Sequence, residues 1–160
     1  MKKLFYLIAS LLLLTVSVNF ATASTAEEVT ALVKQTREAV EKNALQTFAR
    51  INRAEHPYKN ADNPSLYVFV FDTNLTVVAH AIKTKVIGKN VKGKPDIKGK
   101  KFRDEILATA LKDGSGCGWV DYYFKNPKTK QIAHKNSYFE LAKGSDGKDY
   151  IVGSGKYFDE

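Results

Sequence analysis

The most informative polar side chain in this 160-residue sequence is a lysine inside a predicted β-strand. Lys135 interrupts residues 132–140, whose composition is typical of a half-buried strand. A lysine at such a position must reach either solvent or a negative charge, because an isolated buried ammonium carries a large desolvation cost. Two interpretations therefore stay open. Lys135 is an anion-binding side chain, or it is an ordinary solvent-facing lysine of a strand.

Four further side chains carry hydrogen-bond donors that could meet a ligand. His80 lies where the second predicted strand ends, and it could donate to a ligand oxygen or titrate near neutral pH. Tyr122 and Tyr138 carry hydroxyl groups on aromatic rings, while Trp119 offers an indole N–H and a flat wall. The alternative is structural, since a lone strand histidine commonly has its hydrogen bonds satisfied and two of these aromatic residues would simply belong to the core.

Strand alternation limits which of these residues can share one pocket. Trp119 and Tyr122 have opposite parity, so both line the same pocket only if a bulge lies between them or one belongs to the rim. The same restriction applies to Lys135 and Tyr138. The five candidates are therefore not expected to be equivalent.

Signatures of enzymes and metal sites are missing from the sequence. It contains no G-x-S-x-G, H-E-x-x-H or P-loop pattern, and Cys117, its single cysteine, has no local catalytic partner. His56, His80 and His134 are scattered without the spacing of metal ligands. We predict no catalytic residue, no metal and no cofactor, and we expect Cys117 to be a small buried residue.

Hydrophobic periodicity predicts one long helix followed by strands. Apolar residues recur at helical spacing over residues 26–54, Ser24 and Thr25 can cap the start, and Pro57 ends the helix. A lysine- and glycine-rich connection over 83–100 and a short helix over 101–112 separate two strands from three more. The predicted strands are 66–71, 76–81, 118–124, 132–140 and 149–158.

This order of elements describes an α+β domain. The long N-terminal helix should cover one face of a five-stranded antiparallel sheet, and the connection with its short helix should form a flap over the other face. Within that connection, Asp96 could receive a ligand amino group, but an Asx-turn is the favoured role.

The first 23 residues have the features of a secretory signal peptide. Lys2 and Lys3 precede the apolar residues 4–20, and Ala21 and Ala23 supply the small residues read at a cleavage site after Ala23. The alternative is an uncleaved membrane anchor, because an apolar run of about 17 residues is at the lower limit for spanning a bilayer. We predict a signal peptide over 1–23, one domain over 24–160, and a periplasmic or secreted location.

The formal net charge is +8, with lysine and arginine spread through the chain and one denser run of lysines over residues 83–101. A nucleic-acid patch is conceivable for such a lysine run, but export makes that partner unexpected. We interpret the run as a solvated loop that also attracts anions.

A set of short motifs, in order across residues 38–160, resembles the single Cache domain of the second type. The motifs are YVFVFD at 67–72, VVAH at 77–80, IGKN at 87–90, DxxGxxF at 96–102, GxGWVDY at 116–122, NP at 126–127, KNSY at 135–138 and YIVGSGxY at 150–157. The resemblance implies a PAS-like extracellular sensor domain for short carboxylates such as acetate, propionate, lactate or pyruvate. Such a domain is usually the outer part of a chemoreceptor or histidine kinase.

The resemblance also implies a ligand site at the matching positions. A short carboxylate needs a cation or several donors for its oxygens and an apolar wall for its methyl end. Lys135 is the expected anchor, assisted by His80, Tyr122, Trp119 and Tyr138.

The sequence runs to Glu160, directly after the last predicted strand, without a second membrane helix or signalling domain. We therefore expect a stand-alone binder, a monomer or weak homodimer, that presents its occupied state to a membrane sensor kinase, chemoreceptor or transporter. The alternative is a periplasmic protein-interaction module whose pocket is filled with side chains.

Overall fold

The computed structural model describes residues 24–112 and 116–158. The predicted signal peptide and its cleavage after Ala23 lie outside the described residues. Among the residues described, no helix combines the length and hydropathy needed to cross a membrane. The same residues hold no group of histidine, cysteine and acidic side chains arranged for a metal ion.

The long helix predicted over 26–54 is two helices, α1 (Ala26–Lys42) and α2 (Ala44–Asn52). The prediction of a single helix was wrong at Asn43, whose backbone is extended with φ −157° and ψ 90°. The Asn43 side chain accepts a hydrogen bond from the backbone N–H of Gln46 at 3.1 Å and so caps α2. Asparagine competes with the helical backbone for hydrogen bonds, which explains a break that hydrophobic periodicity does not reveal.

The five predicted strands form one antiparallel sheet, as expected. The strand order across the sheet is β2-β1-β5-β4-β3. The strands are β1 (Phe69–Asp72), β2 (Val77–His80), β3 (Cys117–Lys125), β4 (Ile132–Lys143) and β5 (Asp149–Tyr157). Cys117, predicted to be buried, is only half-buried at the start of β3.

The two faces of the sheet carry different layers. Helix α1 packs against β4 and β5 on one face. The other face is covered by residues 83–112, which we call the flap, and which contain a 3-10 turn (Thr84–Val86) and helix α3 (Phe102–Ala110). Phe102 and Ile106 of α3 join Phe139 of β4 in a buried apolar cluster. The predicted arrangement of helix, sheet and flap is confirmed.

Asp96 ties the flap to the sheet. Its Oδ1 accepts from the backbone N–H groups of Lys98 and Lys100, both at 2.9 Å, and its Oδ2 accepts from the N–H of Tyr123 in β3 at 2.8 Å. Burial raises the pKa of Asp96, but these three backbone hydrogen bonds outweigh it and lower the pKa below its ordinary value. The Asx-turn interpretation is confirmed, and both carboxylate oxygens are already occupied.

Candidate functional site

A cavity of about 120 Å³ lies between the sheet and the flap. This volume is somewhat smaller than a cavity of about 150 Å³ that holds benzene, so it suits a molecule of a few heavy atoms. Apolar side chains and polar side chains both reach its surface. The apolar lining residues are Phe69, Phe71, Val77, Val86, Val91, Phe102 and Phe124, and the polar ones are Tyr67, His80, Lys83 and Arg103.

Lys135, the predicted anchor, is completely buried and does not itself line the cavity, although it contacts the lining residue Tyr67. Its side chain is 0% exposed, so the interpretation as a solvent-facing lysine was wrong. The ammonium Nζ donates to the hydroxyl oxygen of Tyr67 at 2.8 Å and lies 4.0 Å from the centroid of the Tyr67 ring. The rings of Phe69 and Phe124, which line the cavity, are each 5.8 Å from Nζ. Aromatic faces therefore stabilise the buried cation beside the cavity.

Hydrogen bonds fix the direction in which the Tyr67 hydroxyl donates. An ammonium is only a donor, so Tyr67 accepts from Lys135. The hydroxyl of Tyr157 donates to the backbone carbonyl of Lys125 at 3.0 Å, which leaves Tyr67 to donate to Tyr157 across 3.3 Å. Burial, followed by the proximity of Tyr157, raises the pKa of Tyr67 well above its ordinary value. A chain of protonated groups thus runs from Lys135 to the end of β3.

His80 contributes a buried donor at the cavity wall. Its Nδ1 accepts from the N–H groups of Ile82 at 3.3 Å and Lys83 at 3.2 Å, which places the ring proton on Nε2. Burial, reinforced by the positive charges of Lys135 and Lys83, lowers the pKa of His80 to about 3 and keeps the imidazole neutral. In the described parts of the chain no acceptor meets this Nε2–H, although His80 is only 6% exposed. Such a donor is costly unless a ligand or water accepts from it.

Two cations from the flap also line the cavity. The Arg103 guanidinium lies 4.1 Å from the centroid of Phe102, and one of its nitrogens donates to the carbonyl of Lys94 at 3.3 Å. The Lys83 ammonium lies 3.9 Å from the centroid of Phe124. Neither cation forms a salt bridge within residues 24–112 and 116–158. Burial lowers the pKa of both groups, and the charge of Arg103 lowers that of Lys83 further.

Tyr122 supports the cavity wall from behind. Its ring stacks on Phe102 with centroids 3.8 Å apart, and its hydroxyl is 2.9 Å from Ser137 Oγ. Tyr122 and Lys135 are directly opposite each other in the β3–β4 ladder and point to the same face. Burial raises the pKa of Tyr122 to about 12. The structure therefore brings Tyr122 to the site as a second layer behind Phe102.

Trp119 and Tyr138 lie on the opposite face of the sheet from the cavity. They are paired across β3 and β4 with ring centroids 5.3 Å apart, and the ladder contains no bulge that would turn them. Tyr138 donates to Glu140 Oε1 at 2.9 Å, and Glu140 bonds Arg37 of α1 at 2.8 Å. The structure does not bring Trp119 or Tyr138 to this cavity, because strand parity separates them from Tyr122 and Lys135.

Three polar lining residues were not among the site residues predicted from sequence. Tyr67 was only part of a strand motif, and Lys83 belonged to a run of lysines interpreted as a solvated loop. Arg103 follows the Phe102 position of a motif, and its single charge carried no spacing signal. Their convergence depends on the flap folding across the sheet.

Comparisons with known proteins give one family and a consistent fold. The family model described as single Cache domain 2 matches residues 21–160. No curated protein matches the chain in sequence.

Several solved structures share the fold. A methyl-accepting chemotaxis protein from Vibrio parahaemolyticus is 20% identical, with a TM-score of 0.64 over 83% of this chain and 88% of that one. The periplasmic sensor domain of a chemotaxis protein is 24% identical, with a TM-score of 0.60 over 83% and 90%. A Cache chemosensory domain described for carboxylic acid recognition is 20% identical, with a TM-score of 0.65 over 83% and 92%.

The family match covers nearly the whole chain, and the solved structures agree with it in fold. Cache domains are extracellular or periplasmic sensor modules that bind ligands and are not enzymes. The cavity beneath the flap lies within the matched residues. The protein belongs to the single Cache domain 2 family.

Proposed function

We propose that the cavity beneath the flap binds one short organic acid of the acetate, propionate, lactate or pyruvate type. The observation that carries this proposal is the buried Nε2–H of His80, which lines the cavity and has no acceptor among the described residues. A carboxylate oxygen is the acceptor that such a donor and the neighbouring cations require. The Cache chemosensory domain of similar fold, described for carboxylic acid recognition, adds support.

The cations decide the charge of the ligand. Arg103 and Lys83 line the cavity, and Lys135 lies directly behind Tyr67. The guanidinium offers a planar pair of donors that matches a carboxylate, while an ammonium acts as a point charge. An anion in the cavity would offset the repulsion among these groups, whereas a neutral ligand of the same shape would not.

The apolar lining decides the size of the ligand. Phe69, Phe71 and Val77 present hydrocarbon surface to the cavity. Together with a volume of about 120 Å³, this surface suits a methyl or ethyl group and excludes a long acyl chain. Because the space is open rather than filled by side chains, the observations favour ligand binding over the alternative of an interaction module with a filled pocket.

Strand β4 offers a physical link from the cavity to α1. Lys135 points from β4 toward the cavity, and Glu140 of the same strand bonds Arg37 on the opposite face. We propose that a displacement of Lys135 on ligand binding is transmitted through β4 to α1. Helix α1 would then signal to a membrane chemoreceptor, sensor kinase or transporter. We further propose that the mature protein acts as a stand-alone periplasmic binder, a monomer or weak homodimer.

Thermal unfolding tests the ligand class. Acetate, propionate, lactate and pyruvate are added at increasing concentration, with acetamide and lactamide as neutral controls of matched shape. At least one acid should raise Tm with concentration, and a ligand at 100 times its Kd contributes about 2.7 kcal/mol. If no acid raises Tm, or if an amide is as effective as its acid, the proposal is wrong.

A further inference from the structure

We propose that the lysine groove beside the cavity is a second, outer binding site for small carboxylate and similar anions. The groove has a volume of about 460 Å³ and is distinct from the cavity described above. We define the lysine groove by its lining residues, which are Lys59, Pro64, Ala81, Ile82, Lys83, Lys125, Asn126, Pro127 and Lys130.

The charge of the lysine groove has one sign. Its lining includes Lys59, Lys83, Lys125 and Lys130 and no acidic residue. Within the described residues, none of these four lysines forms a salt bridge. The charge of Lys125 also contributes, after burial and Arg103, to lowering the pKa of Lys83. A concave surface with uncompensated charge of one sign concentrates counter-ions of the other sign.

In two segments of the chain, one residue lines the cavity and the next lines the lysine groove. Along β3, Phe124 lines the cavity and the next residue, Lys125, lines the groove. After β2, His80 lines the cavity while Ala81 and Ile82 line the groove. Ala81 and Ile82 directly follow β2, Lys125 ends β3, and these two strands are the edge strands of the sheet.

Lys83 is shared by both sites. It lines the cavity and the groove, and its ammonium lies over the Phe124 ring at 3.9 Å. An anion held in the groove therefore lies one side chain away from the cavity. We infer that an anion can pass from the groove to the cavity, and this step rests on the proposed function because the cavity must bind the anion. Anion binding in the groove itself does not rest on the proposed function.

An NMR titration of the ¹⁵N-labelled protein tests this inference. Acetate is added at low ionic strength, with acetamide as the neutral control. Amides of Ala81, Lys125 and Lys130 report on the groove, and amides of Phe69 and Val77 report on the cavity. We expect the groove amides to shift with acetate but not acetamide, and the shift to weaken as salt is added.

Matched variants assign the shift to the lysine groove. The double variant Lys125→Gln/Lys130→Gln should weaken the shift of the groove amides with acetate at least fivefold. The shift of the cavity amides should still reach saturation. The control Lys89→Gln/Lys92→Gln removes the same charge from exposed flap lysines that line neither site. At low salt the groove variant should also slow association with the cavity about tenfold, and the control should not.

The outcomes separate the two proposals. If the cavity amides respond and the groove amides do not, or if the groove variant behaves like the control, the outer site is refuted and the proposed function stands. If the groove amides respond to acetate and the cavity amides stay silent with acetate, propionate, lactate and pyruvate, the proposed function is refuted and the outer site stands.

Discussion

The ammonium of Lys135 lies 2.8 Å from the hydroxyl oxygen of Tyr67, and this contact connects the middle of the sheet to the wall of the cavity. Tyr67 lines the cavity and Lys135 is fully buried behind it. The pair holds a positive charge in place before any ligand arrives. Electrostatic preorganisation of this kind lowers the cost of binding an anion, because the cation does not have to be ordered or desolvated again.

Replacing Lys135 should separate ligand binding from stability. Lys135→Met keeps a side chain of similar length and removes a buried charge, so the free energy of unfolding should stay the same or rise. The stabilisation by acetate or its relatives should be lost. Thermal unfolding with and without the acid measures both effects on one sample. An unchanged ligand-induced rise in Tm would show that the anchor lies elsewhere.

Arg103 should set the preference for a carboxylate. Arg103→Gln removes the charge and the paired donors, and we expect Kd for the acid to rise at least tenfold. Arg103→Lys keeps the charge but loses the planar fork, so its Kd should fall between those of the other two. Isothermal titration calorimetry gives the three values. Lys101→Gln, which removes an exposed charge beside α3 outside the cavity lining, should bind like the native protein.

His80 should make stability depend on pH. Its pKa of about 3 in the folded protein is below the ordinary value of 6.5, so the unfolded chain binds the proton first as pH falls. The stabilising contribution of neutral His80 to the free energy of unfolding is fully present above pH 6.5. It is lost as pH falls toward 3, at about 1.4 kcal/mol per pH unit. His80→Asn retains an acceptor for the Ile82 N–H and cannot titrate.

Urea unfolding at pH 7 and pH 5 measures this effect. The native protein should lose about 2 kcal/mol more than His80→Asn between these two values, since only the native side chain titrates there. Equal losses in the two proteins would contradict the assignment of a neutral buried imidazole.

Gly155 should be needed to place Lys135. A Cβ at Gly155 would overlap Ser137 Oγ and would lie 2.7 Å from Lys135 Cε. Gly155→Ala should therefore lower the free energy of unfolding by about 1–3 kcal/mol and weaken acid binding, because the lysine must move. Denaturant unfolding and calorimetry measure the two effects. Lys156→Ala, the next residue on the strand, should change stability by less than about 0.5 kcal/mol.

Periodicity in the sequence determined most of the architecture. Alternating and apolar runs predicted the five strands within a few residues, and the flap helix differs from its prediction only at its ends. Parity also predicted that Trp119 and Tyr122 would line one pocket only with a bulge between them or with one at the rim, and the same for Lys135 and Tyr138. These features depend on side chains close in sequence, so local patterns are sufficient to identify them.

Tertiary structure alone decided the composition of the site. The burial of Lys135 depends on its strand, β4, being an interior strand in the order β2-β1-β5-β4-β3, and the approach of Arg103 and Lys83 depends on the flap crossing the sheet. These contacts join residues far apart in sequence, and no local pattern encodes the distance between them. A lysine or arginine is the same residue type in the sequence whether it lies in a solvated loop or in a cavity. The packing around each side chain decides whether it faces water or a ligand.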